Sequence, residues 1–201
     1  MLSSSIASMI STIVRVYQAM RCRRIAAGIA PHLRAGDRVL DFGCGSLRIA
    51  KEIRSLVDVS IIGTDVVDHT EHLIRNDIPF TLFDGKHLPF PDKSFDVTSI
   101  AFVLCHTTDA EHLLRECLRV TKHRIILLEN VYRNAFDLWL TKAMNYGTRL
   151  EHPGIALPFT FRREEEWKSM LLRLGCKNIH MKKIRAVPFR PVRNRVFIAE
   201  I

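Results

Sequence analysis

Two hydrophobic rhythms divide this chain. From residue 3 to 20, Ile6, Met9, Ile10, Ile13, Val16, Tyr17 and Met20 recur at three- and four-residue intervals, opposite Ser3, Ser4, Ser8, Ser11 and Thr12. That spacing predicts an amphipathic helix. It is too short to span a bilayer and is broken by Arg15. From residue 38 onward, short apolar runs alternate with helical spacing. Val39 and Leu40 end a buried strand, Asp41, Gly43 and Gly45 form a tight turn, and residues 47–56 read as a helix. A second strand at 59–65 ends in an acid, Asp65, and a helix at 66–76 is stopped by Asp77 and Pro79. A third strand, 80–83, runs into Asp84-Gly85, and the proline-rich loop at 88–94 leads to a fourth strand at 95–102. A helix from 107 to about 120 carries Asp109 and Glu111 in its first turn, and a fifth strand follows at 124–129.

Regular alternation of strand and helix predicts a parallel α/β sheet with helices on both faces. The rhythm changes after Asn130. Residues 132–161 read as an insertion over the strand ends, where ligands of open α/β sheets bind. It holds a helix at 135–146 whose Phe136, Leu138, Trp139, Leu140 and Met144 would roof a pocket, then a loop through His152, Pro153, Gly154 and Pro158. A helix at 163–174 is closed by Gly175, and strands at 178–186 and 194–200 would form a hairpin through Pro188 and Pro191. The expected organisation is a helical segment at 1–36 and one domain at 37–201, with its cap at about 132–161.

At 201 residues the chain can bury one large core. Its five cysteines are odd in number and never closely paired, and its nine histidines show no ligand spacing. This argues against a disulfide framework or a metal site and for reduced thiols in a cytoplasmic setting. The net charge of +9 is unevenly spread. Residues 1–36 hold five arginines and no acid, and residues 167–201 hold nine basic side chains and only Glu200. Between them the chain is mildly acidic, with 20 acids against 16 bases. Basic ends suit an anionic partner, whether membrane surface, nucleic acid or charged substrate, and equally suit plain solvated surface. For residues 3–20 three readings stand together: a helix packed on the domain, a helix lying on a membrane, or an organelle transit segment.

The chemistry gathers at RVLDFGCGS, residues 38–46. Glycines after a strand let backbone approach a ligand, and the helix start that follows offers free N–H groups to an anion. Asp65 lies 20 residues beyond Gly45, the separation at which an acid grips a ribose diol. A dinucleotide fingerprint would need a third glycine at position 48, where Arg48 stands.

With VLDFGCGS, IIGTDVV, FDGKHLPFPDKSFDVTSIAFVLCH and LLRECLRVTKHRIILLE, the chain resembles the class I S-adenosylmethionine-dependent methyltransferases. The likeness lies closest to the small-molecule group related to quinone and lipid methyltransferases and spans roughly residues 37–130. It implies a Rossmann-like doubly wound sheet, mostly parallel, with one antiparallel strand near the C-terminus. It also implies S-adenosylmethionine as cofactor. By position, Gly43, Cys44 and Gly45 would approach the methionine part, with Asp41 orienting the turn and facing the ammonium. Asp65, beside Val66, would hold the ribose hydroxyls, and Asp84 with Gly85 would take the adenine edge. Ala101 and Phe102 would line the sulfonium. The chain departs from the family at Leu47, where a small residue is usual, and at Lys122-His-Arg124, where a glycine pair is usual.

The implied reaction is in-line transfer of a methyl group, in which the protein mainly aligns the reacting atoms. A hydroxyl acceptor also needs a proton acceptor, and His106 is the first candidate, ahead of His152 and Tyr132. Cys105 reads as a buried structural thiol. Ile100 to His106 replaces the Asn/Asp-Pro-Pro-Tyr/Phe motif of base-amine methyltransferases, so an apolar small acceptor, lipid or quinone-like, is favoured. An RNA methyltransferase using the basic C-terminal segment, and a non-catalytic cofactor-binding regulator, are the alternatives. Calorimetry is expected to show binding of S-adenosylmethionine and its demethylated product but not NAD. Asp65→Ala should weaken that binding by about 1–3 kcal/mol, the cost of leaving polar partners unpaired.

Overall fold

The computed structural model describes residues 4–70, 72–146, 158–186 and 191–201. Its strands are β1 Arg38–Phe42, β2 Ser60–Asp65, β3 Phe80–Leu82, β4 Phe95–Ala101, β5 Thr121–Val131, β6 Lys177–Ile184 and β7 Arg193–Glu200. They form one sheet in the order β3-β2-β1-β4-β5-β7-β6. The first five run parallel, while β7 lies antiparallel between β5 and β6. The doubly wound, mostly parallel sheet with one reversed strand is therefore present.

The helices are α1 Ser4–Ile29, α2 Arg48–Leu56, α3 His72–Arg75, α4 Ala110–Val120, α5 Ala135–Asn145 and α6 Glu164–Arg173. Helices α4 and α6 cover one face, packing Leu114, Cys117, Trp167 and Leu171 against Leu40, Ile125, Leu127 and Phe197. The other face takes the second half of α1 and α2, with Ile25, Ala26, Ile29, Ala50 and Ile53 against Val39, Ile61, Ile126 and Val196. Strand β5 is buried on both sides, which is why Ile125 to Leu128 is an unbroken apolar run. Full burial of each large apolar side chain contributes about 1.5–3 kcal/mol.

Several expectations need correction. The helix expected at 66–76 shrinks to His72–Arg75. Asp68 Oδ1 accepts from the Thr70 amide at 3.0 Å and its hydroxyl at 2.6 Å, so an Asx turn diverts the backbone first. Helix α4 begins at Ala110 instead of 107, because the Asp109 side chain caps it by accepting from the His112 amide. A 3₁₀ turn, Leu104–His106, precedes it. The N-terminal helix continues to Ile29, and its two ends present different faces. Cys22, Ile25, Ala26 and Ile29 are buried, whereas Ile6, Met9, Ile10, Ile13, Val16 and Met20 are exposed. In α5 only Leu138 joins the cluster beside Cys105, while Phe136 and Trp139 stack on each other in solvent, so the expected roof is partial. His152, Pro153 and Gly154, and the hairpin turn at 187–190, lie outside the described residues. Among the described residues no helix is long and apolar enough to cross a membrane.

The helix after the glycine turn is pinned by Leu47, which is fully buried in a left-handed conformation, φ 63°. That backbone costs a leucine about 1–3 kcal/mol, and burial of its side chain over Gly63 offsets it. A Cβ on Gly63 would overlap Leu47 Cδ2 and come within 2.8 Å of Cys44 Sγ. Gly63→Ala should therefore destabilise the protein by about 1–3 kcal/mol. Thermal unfolding that leaves Tm unchanged would remove this packing argument.

Candidate cofactor and active site

Parallel pairing of β1 with β2 brings their carboxyl ends together, setting Asp41 opposite Gly63 and Phe42 opposite Thr64. The chain then turns. The Gly43 and Cys44 amides both donate to Thr64 O, at 2.8 and 3.1 Å, and the Gly45 amide donates to Asp65 Oδ2 at 2.9 Å. Gly43 is needed twice over: its φ is +70°, and a Cβ there would overlap the Val103 side chain. Gly45, φ +50°, differs, since a Cβ would meet nothing within 4 Å. Its open side is a surface that a ligand can approach closely.

Asp65 is held by two amides, Gly45 on Oδ2 and Val66 on Oδ1 at 2.7 Å, and is only partly buried. Each oxygen keeps a lone pair for a further donor. Asp84 is exposed, and its Oδ1 accepts from the His87 and Lys86 amides at 2.7 Å each. Those backbone donors, His87 foremost, hold its carboxyl below the usual range. It shapes the 84–87 turn, and Gly85, φ +79°, lies against Val66.

Asp41 is the anomaly of the site. It is 2% exposed, and its Oδ2 has no partner among the described residues. Burial, with the Asp65 charge second, pushes its carboxyl up to about 7. Burial likewise raises the Cys44 thiol. A buried carboxyl with an unmet oxygen destabilises the fold unless a cationic or donating ligand meets it.

The far side of the site is built by β4 and β5. Ala101 pairs with Leu128, and Phe102, φ 60°, leaves the sheet by donating its amide to Leu128 O at 2.8 Å. Arg21 of α1 stacks over the Phe102 ring at 5.3 Å. His106 ends the 3₁₀ turn and meets Phe159 edge-on, with centroids 5.4 Å apart. Thr160 closes this wall, its amide donating to Cys105 O at 2.8 Å and its hydroxyl to Thr107 O at 2.8 Å. Tyr132 packs beside the same cluster, of which Cys105, Phe159 and Phe161 are the buried members. Burial raises the Cys105 thiol, with Glu129 second, so it is an inert thiol at neutral pH.

Sequence reading missed Glu129. It is fully buried on β5, and its Oε1 accepts from the Leu104 amide at 2.8 Å and the Cys105 amide at 3.4 Å. It thereby holds the turn that carries His106. Burial raises its carboxyl to about 7. An acid closing the apolar run IILLE was the available signal. Phe159 and Thr160 left none, since contact with His106 and Cys105 depends on how the insertion returns.

The sheet order, the glycine turn and three acids at successive strand ends define a class I methyltransferase fold. A family model described as a methyltransferase domain matches residues 40–128. Residues 40–128 thus match a methyltransferase domain, set in a sheet of the class I S-adenosylmethionine-dependent methyltransferase fold. The chain is 36% identical over 131 residues to a ubiquinone/menaquinone biosynthesis C-methyltransferase of Hahella chejuensis, covering 56% of this chain and 53% of that protein. It is 34% identical over 105 residues to the 27-O-demethylrifamycin SV methyltransferase of Amycolatopsis mediterranei, covering 48% and 38%. The chain thus spans about half the length, or less, of the curated relatives it matches. In three dimensions it is similar to an S-adenosylmethionine-dependent methyltransferase from Aquifex aeolicus, with TM-score 0.68, 15% identity and coverage of 95% and 97%. The domain's cofactor is S-adenosylmethionine. The residues present fit it: the unmet Asp41 oxygen suits an ammonium, the open Gly45 a close approach, and Asp65 a diol.

A test follows from Asp41. Its folded-state carboxyl is raised, so the unfolded chain ionises first as pH rises from about 4 to about 7, and stability falls over that window. Asp41→Asn abolishes this loss, on the order of 1.4 kcal/mol for each unit of elevation. The variant should gain Tm over wild type near neutral pH, lose the gain in acid, and bind cofactor more weakly. Parallel Tm–pH curves for the two proteins would contradict the buried, unpaired carboxyl.

Proposed function

We propose that this protein transfers the methyl group of S-adenosylmethionine to an apolar small molecule of quinone-like type. The observation that carries this is the joined pair of Gly45 and Asp65 above the unmet carboxyl of Asp41. Two kinds of similarity support the acceptor class. One curated relative is named for ubiquinone/menaquinone biosynthesis and another for an O-methylation of demethylrifamycin. In addition, the surroundings of His106 are aromatic, with Phe159 edge-on to its ring and Phe161 and Tyr132 in the same cluster around Cys105.

The roles divide as follows. Gly43, Cys44 and Gly45 present backbone to the amino-acid end of the cofactor, and Asp41 meets its ammonium. Asp65 accepts from the ribose hydroxyls, while Val66, Gly85 and Asp84 border the base. Ala101 and Phe102 face the sulfonium. When bound, the cofactor supplies an electrophilic methyl group. The protein's share is alignment, through a rigid floor on β4 and β5 and the turn that Glu129 fastens. His106 accepts the proton of a hydroxyl acceptor, and Phe159 sets its ring edge-on.

Incubation with methyl-labelled cofactor and an isoprenoid quinol or quinone-bearing lipid extract should give a labelled, solvent-extractable product. His106→Ala should lower the turnover by about 10²-fold or more while cofactor affinity stays unchanged. Label appearing in RNA instead, or cofactor binding without transfer to any lipid, would reject this acceptor assignment.

A further inference from the structure

Helix α1 is two helices in one. Its second half packs Cys22, Ile25, Ala26 and Ile29 on the domain, spaced i, i+3, i+4 and i+7. Continued towards the N-terminus, that stripe meets Gln18, Arg15, Ser11 and Ser8, all polar. The apolar residues of the first half, Ile6, Met9, Ile10, Ile13, Val16 and Met20, lie on another face and are 39–59% exposed. No rotation of the helix could bury both stripes on the one domain.

The direction of α1 decides where that second stripe lies. Its C-terminal end leads to His32, whose carbonyl accepts from Arg124 at the amino end of the central strands. Higher up, Gln18 accepts from Arg48, the first residue after the glycine turn, at 3.1 Å, and Arg21 covers Phe102. The helix therefore runs down the sheet from carboxyl to amino edge. Residues 4–16 extend beyond these contacts, about 20 Å at 1.5 Å per residue. Helix α5 follows β5 off the carboxyl edge, exposing the stacked pair Phe136 and Trp139, 66% and 63% exposed. Both apolar elements flank the mouth of the site.

Charge selects the occupant. Residues 1–36 contain no acid, and the exposed Arg24 continues the exposed stripe at its inner end. Arg24 donates to Arg185 O, beside the basic strand β6 with its exposed Lys182 and Lys183. A second copy of α1 would bring like charges together. Nucleic acid would leave the isoleucines and methionines uncovered. An interface with anionic headgroups and acyl chains satisfies both the cations and the apolar stripe. We infer that the exposed stripe of α1, with Phe136 and Trp139, docks the mouth of the site on an anionic lipid bilayer. The proposal goes beyond methyl transfer and does not depend on it. It would let an acceptor dissolved in the bilayer reach the site without crossing water.

The test is co-sedimentation of the full chain with phosphatidylcholine vesicles, with and without phosphatidylglycerol. Binding should require the anionic lipid and fade between about 0.1 and 1 M salt, as the screening length drops from about 10 to about 3 Å. The exposed double variant Ile10→Asp/Ile13→Asp should cut vesicle affinity about tenfold or more, and Trp139→Ala less. Calorimetry should show cofactor binding intact in both variants, which separates loss of docking from loss of fold or site. Three results would overturn the inference: equal binding to neutral vesicles, wild-type binding by the double variant, or no vesicle binding. A concentration-dependent dimer that Ile13→Asp dissolves would also overturn it, giving the stripe to a second copy of the chain.

Discussion

A single hydrogen bond, from the Gly45 amide to the Asp65 carboxylate, ties the loop after β1 to the end of β2, and the cofactor side of the site depends on it. Two amides bonded to Thr64 O brace the same loop, and Leu47 anchors its far end in the core over Gly63. The turn is thus fastened at three places within a few residues. A loop so restrained loses little entropy on binding, so contacts with a ligand are not spent on ordering it. The same bracing explains why a leucine is accepted in a left-handed conformation. Its side chain points into the core and leaves the backbone of Gly45 open.

Two buried acids flank the central strand. Asp41 on β1 and Glu129 on β5 both carry carboxyls raised to about 7 by burial, with β4 between them. Burial disfavours the charged form of each. Each serves a neighbour: Glu129 holds the turn of His106 through two amides, and Asp41 leaves one oxygen for a donor that the described residues do not supply. Raised carboxyls on both sides of a strand end are a recurring sign of a functional site.

Helix α1 joins this chemistry to the exterior. Its middle borders the site at Arg48 and Phe102, its second half completes the core, and its first half carries an apolar face pointed elsewhere. The change of face between residues 20 and 22 is written in the sequence. Helical spacing alone still reads as one amphipathic helix, because a periodicity argument scores stripes without knowing which of them meets a partner.

The mostly parallel sheet, its one reversed strand near the C-terminus and the places of Asp41, Gly43, Gly45, Asp65 and Asp84 at or just past strand ends were legible in the sequence. They rest on local rules: apolar runs make buried strands, glycine makes the turns, and right-handed crossovers fix which strand ends adjoin. Local rules failed where side chains competed with the backbone, as at Asp68, whose Asx turn shortened a helix, and at Asp109, which moved a helix start to Ala110. They were silent wherever contact was made across long sequence separations. Leu47 looked like an intruder in a ligand turn until Gly63 gave it a place in the core. Glu129 looked like a strand residue until its carboxyl was found beneath the amides of Leu104 and Cys105. Which residues alternate and which must turn is decided within a few positions of each other. Which buried oxygen remains unmet, and which apolar stripe remains uncovered, are properties of the packed whole.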